Sequence, residues 1–186
     1  MTASGDTAYR VEELISATAI ADRVAQLGQQ IRSDYAGRHL VVVGVLTGAV
    51  VFLSDLVRRI ELPMEIDFVA MASYGSATET TGEVRVLKDL SHPIDGKHVL
   101  LVEDIIDTGL TLRYLVGLLR SRGPASVQTC VLLDKPARRR VDQHADYVGF
   151  AIEDRFVVGY GLDLAGLHRN LPYIGVLEPD GSTVRR

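Results

Sequence analysis

"VLLVEDIIDTGLTL", residues 99–112, is the stretch on which the fold turns. Its opening residues, 99–102, are continuously apolar. They read as the centre of a strand over 98–105 that is buried on both faces. The run then meets two adjacent acids, Glu103 and Asp104, followed by Asp107, Thr108, Gly109 and Thr111. Beyond them "LTLRYLVGLLRSRG" (110–123) reads as a helix stopped by Gly123 and Pro124. A buried strand, a short polar turn and a helix form the repeating unit of an open parallel α/β sheet. In such sheets ligands bind outside the carboxyl ends of the strands, which places Glu103 to Gly109 in the functional crevice.

The same pattern recurs on either side. "HLVVVGVL" (39–46) reads as a second strand buried on both faces, and "TGAVVFLSDLVRRI" (47–60) turns on Gly48 into a helix. "MEIDFVAMASY" (64–74) and "VRVLKDL" (84–90) read as two strands of a hairpin around the polar loop 75–84. "SVQTCVLLDK" (126–135), "YVGFAI" (147–152), "VVGYGLD" (157–163) and "YIGVLEPD" supply further strands. Residues 11–35 place Ile20, Val24, Leu27 and Ile31 at helical spacing, with Thr18 as the expected N-cap. The expectation is one α/β domain over 1–186: a parallel sheet with helices on both faces, a small hood lobe, a loose tail at 1–8 and another at 179–186.

Composition narrows the function. The 186 residues are 47% hydrophobic and 24% charged, an ordinary balance for a chain that buries a core. A net charge of −4 argues against a general nucleic-acid or membrane surface. The single cysteine, Cys130, falls in an apolar run and reads as a core thiol, so no disulfide forms within the chain. No apolar run reaches the ~20 residues that span a bilayer, and the N-terminus has no hydrophobic leader pattern. A cytoplasmic protein is the expectation.

The turn before a helix offers free backbone N–H groups and the positive end of a dipole, which suit a phosphate. Asp107, Thr108, Gly109 and Thr111 are the small or polar residues such a cradle needs. Glu103 and Asp104 would repel a phosphate, and make better sense facing hydroxyls or a divalent cation. Together they point to a phosphorylated sugar. The plainer reading is a helix capped by Asp107, with Glu103 and Asp104 solvated.

These residues carry a resemblance. "VLLVEDIIDTGLTL" resembles the phosphoribosyl pyrophosphate signature of the purine and pyrimidine phosphoribosyltransferases. With "GVLTGAVVFLSDL", "ASYGS", "VRVLKDL", "LLDKP", "DYVGF" and "FVVGYGLD" in order over residues 10–178, the chain resembles the hypoxanthine(-guanine) branch of that family. The resemblance implies the type I phosphoribosyltransferase core with a hood and a mobile hairpin lid over 73–85, headed by Ser73 and Tyr74. It implies transfer of the phosphoribosyl group to a 6-oxopurine, with Mg²⁺ as the cofactor and a homodimer or homotetramer as the assembly.

The resemblance also assigns roles. Glu103 and Asp104 serve the ribose hydroxyls and the metal, and Asp107 is the general base near the purine's imidazole nitrogen. Thr108, Gly109, Leu110 and Thr111 complete the phosphate cradle. Leu46, Thr47 and Gly48 bind pyrophosphate through amides, with a cis peptide expected between Leu46 and Thr47. Arg169 holds pyrophosphate. Lys135 donates to the purine O6, Phe156 stacks on the ring, Val157 contacts its edge through the backbone, and Asp163 is a metal ligand. Three departures stand out: Thr47 where some relatives are basic, Leu164 where an aromatic is frequent, and His168 where another is common. Arg138 to Arg140 read as surface charge, and the histidines as structural. Two rivals remain: transfer to adenine or a pyrimidine, against which Lys135 and Phe156 argue, and a nucleotide-sensing regulator without turnover.

Overall fold

The computed structural model describes residues 9–73 and 84–179. The elements run β1 (Tyr9–Ile15), α1 (Ala17–Asp34), β2 (Leu40–Leu46), α2 (Val50–Ile60), β3 (Met64–Ser73), β4 (Val84–Lys88), β5 (His98–Ile106), α3 (Leu110–Arg120), β6 (Ser126–Asp134), β7 (Tyr147–Ala151), β8 (Val157–Val158) and β9 (Ile174–Pro179). A 3₁₀ turn, Pro136–Arg138, follows β6. None of the described helices is long and apolar enough to cross a membrane.

Six strands form the main sheet in the order β4-β3-β2-β5-β6-β7. β3, β2, β5, β6 and β7 are parallel, and β4 returns antiparallel on β3. Both faces are covered. Leu40 and Val42 of β2 and Leu100 and Val102 of β5 pack with Ile20, Val24, Leu27 and Ile31 of α1 and with Phe52, Leu56 and Ile60 of α2. The alternate residues Val41, Val43, Val99 and Leu101 pack with Leu112, Leu115 and Leu119 of α3 on the opposite face. This is why the strands read as unbroken apolar runs: each alternate side chain meets a helix layer, and each buried Val or Leu contributes about 1.5–3 kcal/mol.

The helix after β2 crosses to one face and the helix after β5 to the other. The loops leaving these neighbouring strands therefore diverge, and a crevice opens between them at the switch point. Gly44 of β2 makes room here, because a β-carbon on it would stand 2.7 Å from Leu53 and 3.2 Å from Phe68.

The hood is a separate antiparallel sheet in the order β1-β9-β8. It corrects the N-terminal expectation: residues 9–15 are a strand rather than the start of a helix. β1 exposes most of its side chains and exists through pairing with β9, from Tyr9 opposite Pro179 to Ile15 opposite Ile174. The helix begins at Ala17 and is capped by Ser16, whose Oγ accepts from the Ala19 N–H at 3.2 Å, so Thr18 is not the cap. The expected strand over 157–163 is only Val157–Val158, because Gly159 and Gly161 take positive φ (95° and 104°) and turn the chain over the crevice. The hairpin expected over 64–90 is present, with Ser73 paired to Val84. Tyr74 and nearly all of the expected lid lie outside the described residues, as do the terminal tails.

Candidate active site

β5 runs one residue past the strand expected over 98–105, through Ile106, and Glu103 and Asp104 lie within it. Glu103 lies opposite Val131 of β6, and both acids are partly buried. Glu103 Oε2 is buried with no hydrogen-bond partner among the described residues. Burial, the Asp104 charge and the hydrogen bond between the two acids push the Glu103 carboxyl well above its usual range. Burial raises Asp104 too, opposed by its hydrogen bonds with Glu103 and the Ile105 N–H and by the nearby Arg169 charge. Asp104 Oδ1 accepts from the Ile105 N–H at 2.8 Å. Two neighbouring carboxyls in such a place do not both ionise readily unless a cation joins them.

Across the switch point, the peptide between Leu46 and Thr47 is cis, as expected. Gly48 lies directly against the acids: a β-carbon there would stand 1.7 Å from Asp104 Oδ2. Gly161 in turn lies against Gly48, since its β-carbon would meet the Gly48 carbonyl oxygen at 2.1 Å. The loop after β2, the acid pair and the segment after β8 are thus stacked through two glycines, each placed where a β-carbon would collide. Arg169 joins them. Its Nη1 donates to the Gly161 carbonyl at 2.5 Å and its Nη2 pairs with Asp163 Oδ1 at 2.6 Å. Asp163 Oδ2 also accepts from the Gly166 N–H at 2.6 Å.

On the other side of β5, α3 starts at Leu110 with Gly109 as its N-cap, at φ 83° and with no side-chain cap. This rules out the plain reading in which Asp107 merely caps the helix. The carbonyls of the turn are occupied: Arg139 Nη1 donates to Asp107 O, and the Arg140 N–H donates to Thr108 O at 3.0 Å. The Leu110 N–H meets Thr108 Oγ1 only at 3.4 Å. With the carbonyls turned away, the first amides of an eleven-residue helix face the crevice beside Asp107 to Thr111.

Lys135 follows β6, its N–H donating to Ile106 O at 3.0 Å. It is only 8% exposed, so it is no part of a solvated basic run. Its Nζ lies 3.7 Å from Asp154 Oδ1. Two residues beyond Asp154, Phe156 is 54% exposed, an aromatic face open to a flat ligand. Val157 is buried and paired with Val176 in the hood.

Arg138 and Arg140 are exposed, as expected of surface charge, whereas Arg139 is only partly exposed and is not. Arg139 runs its guanidinium between the Asp134 carboxylate and the Asp107 carbonyl, and Arg138 reaches both Asp107 and Asp154. Their proximity to Lys135 in the sequence was the available signal. Asp154, which lies between these cations, was missed entirely. The structure therefore gathers the predicted residues in two groups along one crevice: Leu46, Thr47, Gly48, Glu103, Asp104, Asp163 and Arg169, and then Asp107 to Thr111 with Lys135, Phe156 and Val157. Ser73 ends β3. Among the described residues no three His, Cys, Asp or Glu side chains form a ready-made metal cluster. The orphaned Glu103 oxygen beside Asp104 nevertheless fits a hard cation that takes most of its ligands from a substrate.

Comparison with known proteins agrees with this geometry. The phosphoribosyl transferase domain family matches residues 10–164. A hypoxanthine phosphoribosyltransferase of Haemophilus influenzae is 51% identical over 175 residues, 91% of this chain and 98% of that protein. The bifunctional protein TilS/HprT of Listeria monocytogenes is 49% identical over 90% of this chain, which spans only 26% of that longer protein. A crystal structure of a hypoxanthine phosphoribosyltransferase from Staphylococcus aureus superposes with a TM-score of 0.87 at 49% identity, covering 90% of this chain and 91% of that one. The chain belongs to the phosphoribosyltransferase family, within its hypoxanthine(-guanine) branch.

Proposed function

We propose that the chain transfers the 5-phosphoribosyl group of phosphoribosyl pyrophosphate to hypoxanthine, and to guanine, releasing pyrophosphate and the nucleotide monophosphate for purine salvage. The observation that carries this reading is the meeting at the strand ends of an acid pair, an uncapped helix N-terminus and a buried lysine.

The 5-phosphate sits on the amides of Thr108 to Thr111 at the positive end of α3. Glu103 and Asp104 face the ribose hydroxyls. As pyrophosphate departs, the sugar becomes oxocarbenium-like, and fixed negative charge beside the ring stabilises it. Pyrophosphate lies over the amides of Leu46 to Gly48, and Arg169, a planar fork of donors, turns from Asp163 toward it. Asp107 takes the proton from the attacking purine nitrogen. Lys135 donates to O6, where adenine would present a donor of its own. Phe156 stacks on the base, and the Val157 backbone addresses its edge.

Glu103 and Asp104, with Asp163, would hold the Mg²⁺ of this reading, which would supply positive charge against the leaving pyrophosphate. The segment 73–85, with Ser73 and Tyr74, closes over the reaction centre and excludes water. The protein acts in the cytoplasm as a homodimer or homotetramer and uses no nucleic-acid or membrane partner.

The test is a substrate panel. Purified protein with Mg²⁺ and phosphoribosyl pyrophosphate is mixed with hypoxanthine, guanine, xanthine, adenine or uracil. Turnover of hypoxanthine and guanine with adenine and uracil inert supports the reading. Nucleotide binding without turnover of any base would favour a sensor instead.

A further inference from the structure

Nothing in the reaction as described uses Arg138, yet its guanidinium joins two carboxylates on the purine side of the crevice. Nε donates to Asp107 Oδ1 at 3.1 Å, and Nη1 donates to Asp154 Oδ2 at 3.4 Å. The other oxygen of Asp154 lies 3.7 Å from Lys135 Nζ. Four charges therefore alternate across the pocket: Asp107, Arg138, Asp154, Lys135. In the reading above, the two ends are the base and the group that recognises O6. Arg139, one residue on, has a different task, since it holds the Asp107 carbonyl and the Asp134 carboxylate.

We propose that Arg138 is a positioning residue for Asp107. It orients the Asp107 carboxylate toward the purine nitrogen and, through Asp154, ties that orientation to Lys135. The inference rests on the assignment of Asp107 as base.

The physical case is one of geometry more than of binding strength. A carboxylate on a short side chain turns freely about two single bonds. A planar guanidinium with donors on two edges fixes the planes of both carboxylates it addresses, which an ammonium cannot do. Arg138 and Asp107 are each close to half exposed, so the pair contributes little to folding stability. A base must nevertheless lie within hydrogen-bond reach of its proton at the moment of attack, and a small misplacement lowers the rate far more than it lowers stability. The 3₁₀ turn Pro136–Arg138, starting on proline directly after Lys135, sets the spacing that lets one short segment serve both ends of the pocket.

The test is a mutant cycle read in kcat with hypoxanthine at saturating phosphoribosyl pyrophosphate. Arg138→Gln keeps the length of the side chain but loses the charge and the fork. We expect kcat to fall about tenfold to a hundredfold, with the KM for phosphoribosyl pyrophosphate within about twofold and the thermal midpoint unchanged. Arg138→Lys restores part of the rate, because an ammonium reaches one carboxylate and not both. In an Asp107→Asn background, Arg138→Gln lowers kcat no further. Unchanged kcat in Arg138→Gln, or losses that simply multiply in the double variant, overturns the proposal. The outcomes separate this inference from the function it rests on. A wild-type protein that turns over no base defeats the function. A wild type that turns over hypoxanthine, with Asp107→Asn strongly slowed and Arg138→Gln normal, defeats only the role of Arg138.

Discussion

Asp104 Oδ2 occupies the space that a side chain on Gly48 would need, 1.7 Å from where its β-carbon would sit. The contact joins the end of β2 to the acid pair of β5 across the switch point. It makes the glycine a requirement of the site, since the backbone of the pyrophosphate loop must lie flat against a carboxylate. Gly48→Ala should therefore push Asp104 out of place and lower kcat/KM for phosphoribosyl pyrophosphate by about a hundredfold. Overpacking should also remove about 1–3 kcal/mol of stability. Combining it with Asp104→Ala should return the thermal midpoint toward that of the wild type while activity stays lost. Wild-type kinetics in Gly48→Ala would show that the loop does not need this approach.

Gly109 is the second glycine with a specific duty. It holds φ at 83° as the cap of α3, and a β-carbon there would meet Arg139 Cδ at 3.0 Å and Val141 Cγ2 at 3.1 Å. Gly109→Ala should destabilise by about 1–2 kcal/mol through left-handed strain alone, seen as a midpoint lower by about 2–8 °C. The phosphate cradle should loosen with it, raising the KM for phosphoribosyl pyrophosphate more than it changes kcat. A variant with an unaltered KM would place the phosphate elsewhere.

Lys135→Gln addresses selectivity. The lysine is buried at the end of β6 beside Asp154, so its ammonium is held ready for an acceptor and not spread over solvent. A hydrogen bond from a charged group is worth about 1.5–3 kcal/mol, so kcat/KM for hypoxanthine should fall by about tenfold to a hundred-and-fiftyfold. The rate with adenine should not fall in parallel. Equal losses for both bases would move the O6 contact to another residue.

The parallel sheet was legible because its chemistry is local. Val41 and Val42, or Leu100 and Leu101, are apolar on both sides of the chain wherever helices cover both faces. β1 was not legible, since Tyr9 is 40% and Leu14 38% exposed and the strand exists only by pairing with β9 more than 150 residues away. The acid pair was legible as the point where the apolar run breaks, but its burial was not, because charge ordinarily ends a buried run. Here the strand continues and the carboxyls stay buried. The roles of Arg138 and Arg139 depend on contacts to Asp107, about thirty positions upstream, which no local pattern reports. The roles of Lys135, Phe156 and Arg169 came from the family resemblance and not from composition or spacing.

Asp67 offers a pH test away from the crevice. It is 7% exposed at the β3–β4 edge. Burial pushes its carboxyl up, but N–H donors of Phe68 and Ser91, the Lys88 ammonium and the Ser91 hydroxyl outweigh that and hold it down from 3.8 to about 2. A depressed acid contributes stability that is present above its unfolded pKa and disappears as pH falls through the folded one. The wild type should therefore lose about 2 kcal/mol from this group between about pH 4 and pH 2. Asp67→Asn should be less stable than the wild type at pH 7, and the difference should shrink over that window in urea titrations. A difference that stays constant with pH would show that the Asp67 carboxyl titrates alike in the folded and unfolded protein.

Glu103 should behave in the opposite sense, and it separates function from stability. Burial and the neighbouring Asp104 raise its carboxyl, and Oε2 has no partner among the described residues. A raised acid costs nothing below its unfolded pKa, where both states are protonated. The penalty grows as pH rises above about 4.5, where only the unfolded state ionises freely. Glu103→Gln removes the charge while its amide can donate to Asp104 as the shared proton did. The variant should match the wild type in stability near pH 4 and exceed it at pH 8, as expected when a buried charge held for function is neutralised. The same substitution should lower turnover by about a hundredfold. It should also abolish the rise in thermal midpoint that Mg²⁺ with phosphoribosyl pyrophosphate gives the wild type. A Gln variant that is no more stable at pH 8, yet still responds to Mg²⁺ and substrate, would show that Glu103 is neither strained by burial nor part of the cation site.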